Sequence, residues 1–300
     1  MNFQSLLQHS FQSAFHLTET IAPALAQRWA IRLFFRPMKF TRPPREAKLL
    51  ATATIARHAY ASFYPRPAAD CHVLTYEWGR GPTVLLVHGW AGRGSQMATM
   101  AAPLVAAGYR VLTFDAPAHG DSPGKRTNLP EVAHIIKELS AQQEGFAAII
   151  GHSFGGMAAG FALAEGAQAA KLVTIGSPVT MATVLDGFRS QLNAKAKTIA
   201  GVQRVIERLA NRPVADFSLS HNLADSPVPG LIVHDRQDRD VSYQQALLLH
   251  EVWPNSILRL TDGLGHRRIL RDPATIAQIV AFIAEGERNG MRPELLAMSH

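Results

Sequence analysis

The segment AAIIGHSFGG at positions 147–156 constrains the fold more than any other part of the chain. Residues 147–150 are an apolar run of the kind found in a strand buried on both faces of a parallel sheet. The run stops at a turn where Gly151, Gly155 and Gly156 lack the Cβ atoms that would clash in a tight corner. The good helix formers of AAGFALA, 158–164, follow at once. Ser153 therefore stands at the corner of a strand, a sharp turn and a helix, with its hydroxyl lifted above the sheet edge and a helix N-terminus close by. Such a corner needs neighbouring parallel strands beneath it.

The rest of the chain supplies them. From about residue 70 onward, short apolar runs alternate with helical patterns, the signature of an α/β fold with a mostly parallel sheet flanked by helices. Strands are predicted at 73–78, 83–88, 110–115, 147–150, 171–175, 230–234 and 256–261, and helices at 95–107, 129–143, 154–165, 242–251 and 273–286. Only Gly79, Arg80, Gly81 and Pro82 separate the first two strands, which predicts a hairpin and an antiparallel start to the sheet. Between 176 and 229 the alternation lapses. Val184, Leu185, Phe188 and Leu192, then Ile199, Val202, Ile206 and Leu209, recur at helical spacing, so two or three amphipathic helices are expected as an insertion at about 178–228. Open α/β sheets bind ligands at the C-terminal edge of their strands, and a small helical insertion there reads as a lid.

Two domains follow from this reading: a basic N-terminal helical extension over 1–70 and the α/β domain over 71–290. The extension holds nine Lys/Arg against Glu19, Glu46 and Asp70, and so carries +6 of the formal net charge of +7. Basicity confined to one segment argues against a nucleic-acid partner. Phe3, Leu6, Leu7, Phe11, Ala14 and Phe15 form the apolar stripe of a first helix. A second is expected over 21–35, with Arg28, Arg32 and Arg36 recurring every fourth residue on one face and Trp29, Ile31, Leu33, Phe34 and Phe35 covering most of the others. So many apolar faces favour packing on the body of the protein or, as a homo-oligomer contact, on a second subunit. The alternative is peripheral contact of residues 1–36 with an anionic membrane surface.

At 47% apolar and 18% charged residues the composition is globular, and no apolar segment approaches the roughly 18 residues that a membrane span needs. Cys71 is the single cysteine, which excludes an intramolecular disulfide and suits a reducing compartment. Gln8, His9, Gln12 and Ser13 interrupt the would-be apolar region of a leader, and the first basic residue is Arg28, which argues against a signal peptide. A cytoplasmic location is the expectation.

A serine hydroxyl is a weak nucleophile, so a working site needs a general base and a third group to orient that base. His266, in LTDGLGHRRIL, lies just beyond the last predicted strand, and Asp238, in LIVHDRQDRDV, just beyond the strand before it. With Ser153 they all fall at strand C-terminal ends, in the chain order Ser, Asp, His expected of this corner. Asp235 and Asp240 are rivals for the acid, with Asp238 preferred for its distance past the strand. The amide N–H of Phe154 and that of Trp90, in VHGWAGRG, are the candidate donors to a reaction oxyanion. His88, His119 and His152 read as structural or pocket-lining. The thirteen histidines show no metal-ligand spacing and no phosphate-binding loop is present, so no cofactor or metal is expected.

The pieces VHGW (87–90), FDAPAHGDS (114–122), GHSFGG (151–156), HDRQDRDV (234–241) and GLGHRRIL (263–270) together resemble the α/β-hydrolase superfamily, specifically its lid-bearing, esterase-like serine hydrolases. The likeness covers about 72–286. It implies Ser153 as nucleophile, Asp238 as acid, His266 as base, and Trp90 and Phe154 as oxyanion-hole amides. It also implies a small-molecule carboxylic ester or thioester substrate, cleaved through an acyl-enzyme. An acyltransferase or a perhydrolase would use the same triad. A reading of another class is a non-catalytic binding module recruited through the basic N-terminal helix. Serine rather than aspartate at 153 argues against the haloalkane dehalogenase and epoxide hydrolase branches. Ala118 stands where many relatives carry glycine, and the extension has no counterpart in the family pattern.

Overall fold

The computed structural model describes residues 3–61 and 71–285, with side chains from His9 onward. Within them the strands are β1 (Thr54–Ala59), β2 (His72–Trp78), β3 (Thr83–Val87), β4 (Arg110–Asp115), β5 (Ala148–His152), β6 (Leu172–Ile175), β7 (Gly230–Asp235) and β8 (Ser256–Thr261). They form one sheet in the order β1-β2-β4-β3-β5-β6-β7-β8. The helices are α1 (Phe3–Ile21), α2 (Pro23–Phe34), α3 (Pro44–Leu50), α4 (Ala101–Ala106), α5 (Leu129–Gln142), α6 (Phe154–Ala164), α7 (Met181–Leu192), α8 (Ala196–Ala210), α9 (Leu219–Leu223), α10 (Gln244–Val252), α11 (Gly265–Arg268) and α12 (Pro273–Ala284).

Every residue of β3 and β5 is buried, as expected for central parallel strands covered on both faces. Their period-2 alternation divides the core in two. Leu85, Leu112 and Ile149 face a cluster completed by Ile135, Met157 and Trp253. Val84, Leu86, Val111 and Ile150 face the opposite cluster, with Met100, Leu104, Ile279 and Ile283. From β4 to β8 the pairing is parallel throughout, so the C-terminal ends of β3, β5, β6 and β7 all open on one edge.

The start of the sheet corrects two expectations. β2 is antiparallel to β1 and β4, and β3 lies between β4 and β5, so β2 and β3 do not form a hairpin. Their linker steps over the start of β4 instead. A Cβ on Gly81 would sit 2.2 Å from the Gly108 carbonyl oxygen, and the Arg110 N–H donates to the Pro82 carbonyl at 3.0 Å. Four residues reach about 13 Å when extended, enough to cross two strand spacings of about 4.8 Å. In addition, the extension expected to be helical, with no strand foreseen in it, contributes the edge strand β1. Arg57 and His58 mask it in the sequence, because an edge strand exposes most of its side chains and here only His58 is buried. The boundary expected at residue 70 lies outside the described residues, as do the side chains of Phe3, Leu6 and Leu7.

The single helix expected over 95–107 is also broken. Two short 3₁₀ turns, Gly94–Gln96 and Ala98–Met100, precede α4. The Gly94 N–H is taken by the Asp115 carboxylate at 2.7 Å and the Ser95 hydroxyl by Glu46 at 2.7 Å, and these bonds hold the segment off a regular helical path.

The extension packs on the body. Phe15, Ala26 and Ala30 are fully buried, Phe15 stacks on Trp29, and Phe34 meets Phe188 of α7 edge-on at 5.2 Å. Glu19 accepts hydrogen bonds from the Lys195 N–H at 2.9 Å and the Thr198 hydroxyl at 2.5 Å, so α1 caps the N-terminus of α8 from outside the helix. Among the described residues no helix is long and apolar enough to cross a membrane.

Trp253 is fully buried over the start of β7, its indole N–H donating to the Val228 carbonyl at 3.1 Å. A Cβ on Gly230 would lie 2.1 Å from this ring. Gly230→Ala is therefore expected to lower stability by about 1–3 kcal/mol, the usual cost of overpacking, with an unchanged urea m-value.

Candidate active site

Ser153 has φ 53° and ψ −120°, a conformation that costs a non-glycine residue roughly 1–3 kcal/mol. Close packing holds it there. A Cβ on Gly155 would meet the Val87 carbonyl oxygen at 2.2 Å, and one on Gly151 the Gly156 Cα at 2.5 Å. The Ser153 N–H donates to the Ile175 carbonyl at 2.8 Å. Although Ser153 precedes the first turn of α6, its side chain does not cap that helix, which leaves the hydroxyl available.

His266, on α11, places Nδ1 2.7 Å from Asp238 Oδ2. The other Asp238 oxygen accepts the N–H groups of Asp240 at 2.8 Å and Val241 at 2.9 Å, which fixes the carboxylate plane. Burial alone would raise the Asp238 pKa. The hydrogen bonds from His234, His266 and Val241 outweigh it and hold the carboxyl well below the usual range, so it is a carboxylate at any working pH. Its rivals do other things. Asp235 accepts from the Thr261 hydroxyl at 2.8 Å and the Leu264 N–H at 3.0 Å, pinning the loop that carries His266. Asp240 is exposed. His152 Nε2 lies 2.9 Å from the His266 carbonyl oxygen, so the residue before the serine holds the backbone of the candidate base. Gly176 was not anticipated from the sequence. A Cβ there would approach both His266 Nδ1, at 3.2 Å, and Asp238 Oδ2, at 3.3 Å, so only glycine leaves room for the pair.

Trp90 and Phe154 come together, their rings 5.3 Å apart and nearly perpendicular. Neither amide N–H finds an acceptor among the described residues. Two histidines set this loop. His88 lies 2.8 Å from the Gly89 carbonyl through Nδ1 and accepts the Ala116 N–H at Nε2, 3.0 Å. His119 does the same between the Pro117 carbonyl and the Ala91 N–H, each at 3.0 Å. Accepting from an amide at Nε2 makes each ring a neutral Nδ1–H tautomer. Ala118, the departure from the family pattern, takes φ 64°, the left-handed conformation glycine adopts most easily, and its N–H donates to the Pro123 carbonyl at 2.8 Å.

The extension also reaches this loop, through residues that sequence reasoning left without a role. Buried Glu46 accepts from Arg93 Nε at 2.7 Å and Nη2 at 3.2 Å, and from the Ser95 hydroxyl. Lys39 Nζ donates to the carbonyls of Gly120 and Ser122, and Arg42 pairs with Asp121 at 2.8 Å. No periodicity or motif marks these residues; an isolated acid in a basic segment, Glu46, was the sole sequence signal.

Two cavities, of about 1140 and 780 Å³, open elsewhere on the described surface. The larger lies at the N-terminal ends of β3 and β4, beside Thr83 and Arg110, and the smaller between α2, α8 and the loop after β4. Neither is lined by Ser153, Asp238 or His266. Among the described residues no cluster of His, Cys, Asp or Glu could hold a metal ion.

The sequence profile described as "Alpha/beta hydrolase family" matches residues 84–279. A pimeloyl-[acyl-carrier protein] methyl ester esterase from Aeromonas salmonicida is 27% identical over 253 residues, spanning 70% of this chain and 98% of the relative. The human serine hydrolase-like protein is 28% identical over 160 residues, 51% of this chain and 77% of that one. Among solved structures, an esterase from Pyrococcus furiosus has a TM-score of 0.59 at 19% identity, covering 83% of this chain and 98% of its own. A bromoperoxidase from Bacillus anthracis has a TM-score of 0.58 at 19% identity, covering 77% and 99%. The structural likenesses concern the fold.

Removing one partner of a buried ion pair costs about 3–5 kcal/mol, so Glu46→Ala is expected to lower stability by that amount in urea unfolding, and Glu46→Gln, which keeps an acceptor, by less. Burial first, and the neighbouring histidines second, hold His119 and His152 at a pKa of about 3, against about 6.5 when unfolded. The unfolded chain then binds protons that the folded chain refuses. Stability is full above about pH 6.5 and is lost as pH falls toward 3. Unfolding free energies at pH 7, 5.5 and 4.5 should decline in that order, and a flat profile would contradict the assignment.

Proposed function

The chain belongs to the alpha/beta hydrolase family, a family of enzymes, and from that premise we propose that it is a serine hydrolase cleaving a carboxylic ester through an acyl-enzyme. The observation that carries the reading is the 2.7 Å bond between His266 Nδ1 and Asp238 Oδ2 at the sheet edge where Ser153 is held at positive φ. An Nδ1–H donated to the carboxylate leaves His266 Nε2 with a free lone pair, the atom that takes the Ser153 proton. Ser153 Oγ attacks the ester carbonyl. The oxyanion that forms is received by the unengaged N–H groups of Trp90 and Phe154, assisted by the N-terminus of α6. Imidazolium His266, stabilised by Asp238, gives its proton to the departing alkoxide. Water, activated by the same imidazole, then releases the acid and restores Ser153.

The esterase named among the relatives supports an ester rather than an amide substrate. In this reading α7, α8 and α9 form the lid. Support for it comes from their insertion between β6 and β7, which leaves the sheet at the C-terminal end of β6, the strand next to β5. A Cβ on Gly160 of α6 would meet Leu219 of α9 at 2.3 Å, which indicates that this end of the insertion is seated firmly on the domain.

Hydrolysis of p-nitrophenyl esters of increasing chain length tests the proposal. Ser153→Ala and His266→Ala are each expected to lower kcat by roughly 1,000-fold or more at unchanged unfolding midpoints, and Asp238→Asn to follow them. A Ser153→Ala protein that turned over at the wild-type rate would overturn it.

A further inference from the structure

The arginine stripe of α2 is not used by the proposed chemistry, and it lines a cavity. Arg28 and Arg32, one turn apart on α2, and Arg36, two residues past its end, line the 780 Å³ space, as does Lys125 from the loop after β4. Among the described residues none of these four cations has a carboxylate partner. Among the described residues the lining contains one carboxylate, Glu131, and it is already engaged. Glu131 accepts from the Thr127 hydroxyl at 2.8 Å and the Tyr60 hydroxyl at 3.2 Å, and burial pushes its carboxyl up, which weakens its claim on a nearby cation.

Much of the remaining lining of the cavity is apolar. Ile31 and Phe35 of α2, Pro117, and Val205 and Leu209 of α8 supply its walls. The Thr127 N–H donates to the Phe35 carbonyl at 3.0 Å and so ties the end of α2 to the segment that follows Lys125 and Arg126. The cavity volume falls within the range of about 300–1,000 Å³ typical of small-molecule sites.

We propose that this cavity binds an amphipathic anion of the fatty-acid type, its carboxylate held by the α2 arginines and Lys125 and its hydrocarbon body laid against Ile31, Phe35 and Leu209. Charge complementarity selects the head and the apolar walls select the tail. A plain inorganic anion would leave the walls hydrated, and a neutral chain would gain nothing from the cations. The site is separate from Ser153 and His266, so this inference stands or falls apart from the proposed hydrolysis.

Calorimetric titration of full-length Ser153→Ala with decanoate, below its micelle concentration, tests the site without turnover. One saturable site is expected, weakened tenfold or more in Arg28→Gln/Arg32→Gln/Arg36→Gln and weakened by added salt, with 1-decanol and acetate both binding far less tightly. The arginines are exposed and glutamine is a good helix former, so this variant should melt as the parent does. If it does not fold, Lys125→Gln, on the loop after β4, is expected to weaken decanoate at least threefold. Equal affinity for decanoate in the parent and in the variants would overturn the proposal. So would acetate binding as tightly as decanoate, or arginine-dependent sedimentation with anionic phosphatidylserine vesicles without any binding of free decanoate, which would mark α2 as a membrane-contact surface.

Discussion

Ser153 keeps its strained backbone because the chain on either side has no room to relax. The Gly155 backbone lies against the Val87 carbonyl at the end of β3, and Gly151 against Gly156 across the turn, so a side chain at either position would push the corner open. The Ser153 N–H is tied to β6 through the Ile175 carbonyl. Three central strands thus converge on one residue, and the strain there is sustained by the packing of the sheet. The Ser153 side chain makes no cap bond to its own helix, and the corner stands at the edge where β7 and the loop after β8 bring Asp238 and His266.

Around that corner, buried polar groups hold backbone rather than react. His88 and His119 each place one nitrogen on a carbonyl and accept an amide N–H at the other, so both are neutral struts of the Trp90 loop. His152 secures the carbonyl of His266, and Asp235 secures the loop leading to it. The N-terminal extension joins the same scheme. Its Glu46, buried with Arg93 and Ser95, clamps the far end of the Trp90 loop, while Lys39 and Arg42 hold the neighbouring loop that carries His119. An appendage in the sequence is, in three dimensions, part of the frame on which the candidate site rests.

Much of this was legible in the sequence for physical reasons. Central parallel strands must be apolar on both faces, so β3 through β7 declare themselves as runs, and a strand-turn-helix corner needs its glycines. Ser153, Asp238 and His266, the residues proposed for the triad, are picked out by their offsets past the strands. What could not be read depends on contacts between distant segments. β1 exposes most of its side chains and contains Arg57 and His58, so it has no apolar signature. The step of residues 79–82 over β4 looks identical to a hairpin turn until the neighbouring strand is known. The choice of Asp238 over Asp235 and Asp240 turns on which carboxylate faces His266, and the roles of Glu46 and Gly176 exist only once the loops are assembled.

If a single serine, made reactive by its position, carries the proposed chemistry, a fluorophosphonate will mark it. Treatment of the intact chain, with the adduct located by peptide mass spectrometry, is expected to give one stoichiometric adduct on Ser153, lost when His266 is replaced by alanine in a chain that still folds. A folded wild-type protein that forms no adduct, or one labelled at a different residue, would contradict the proposal.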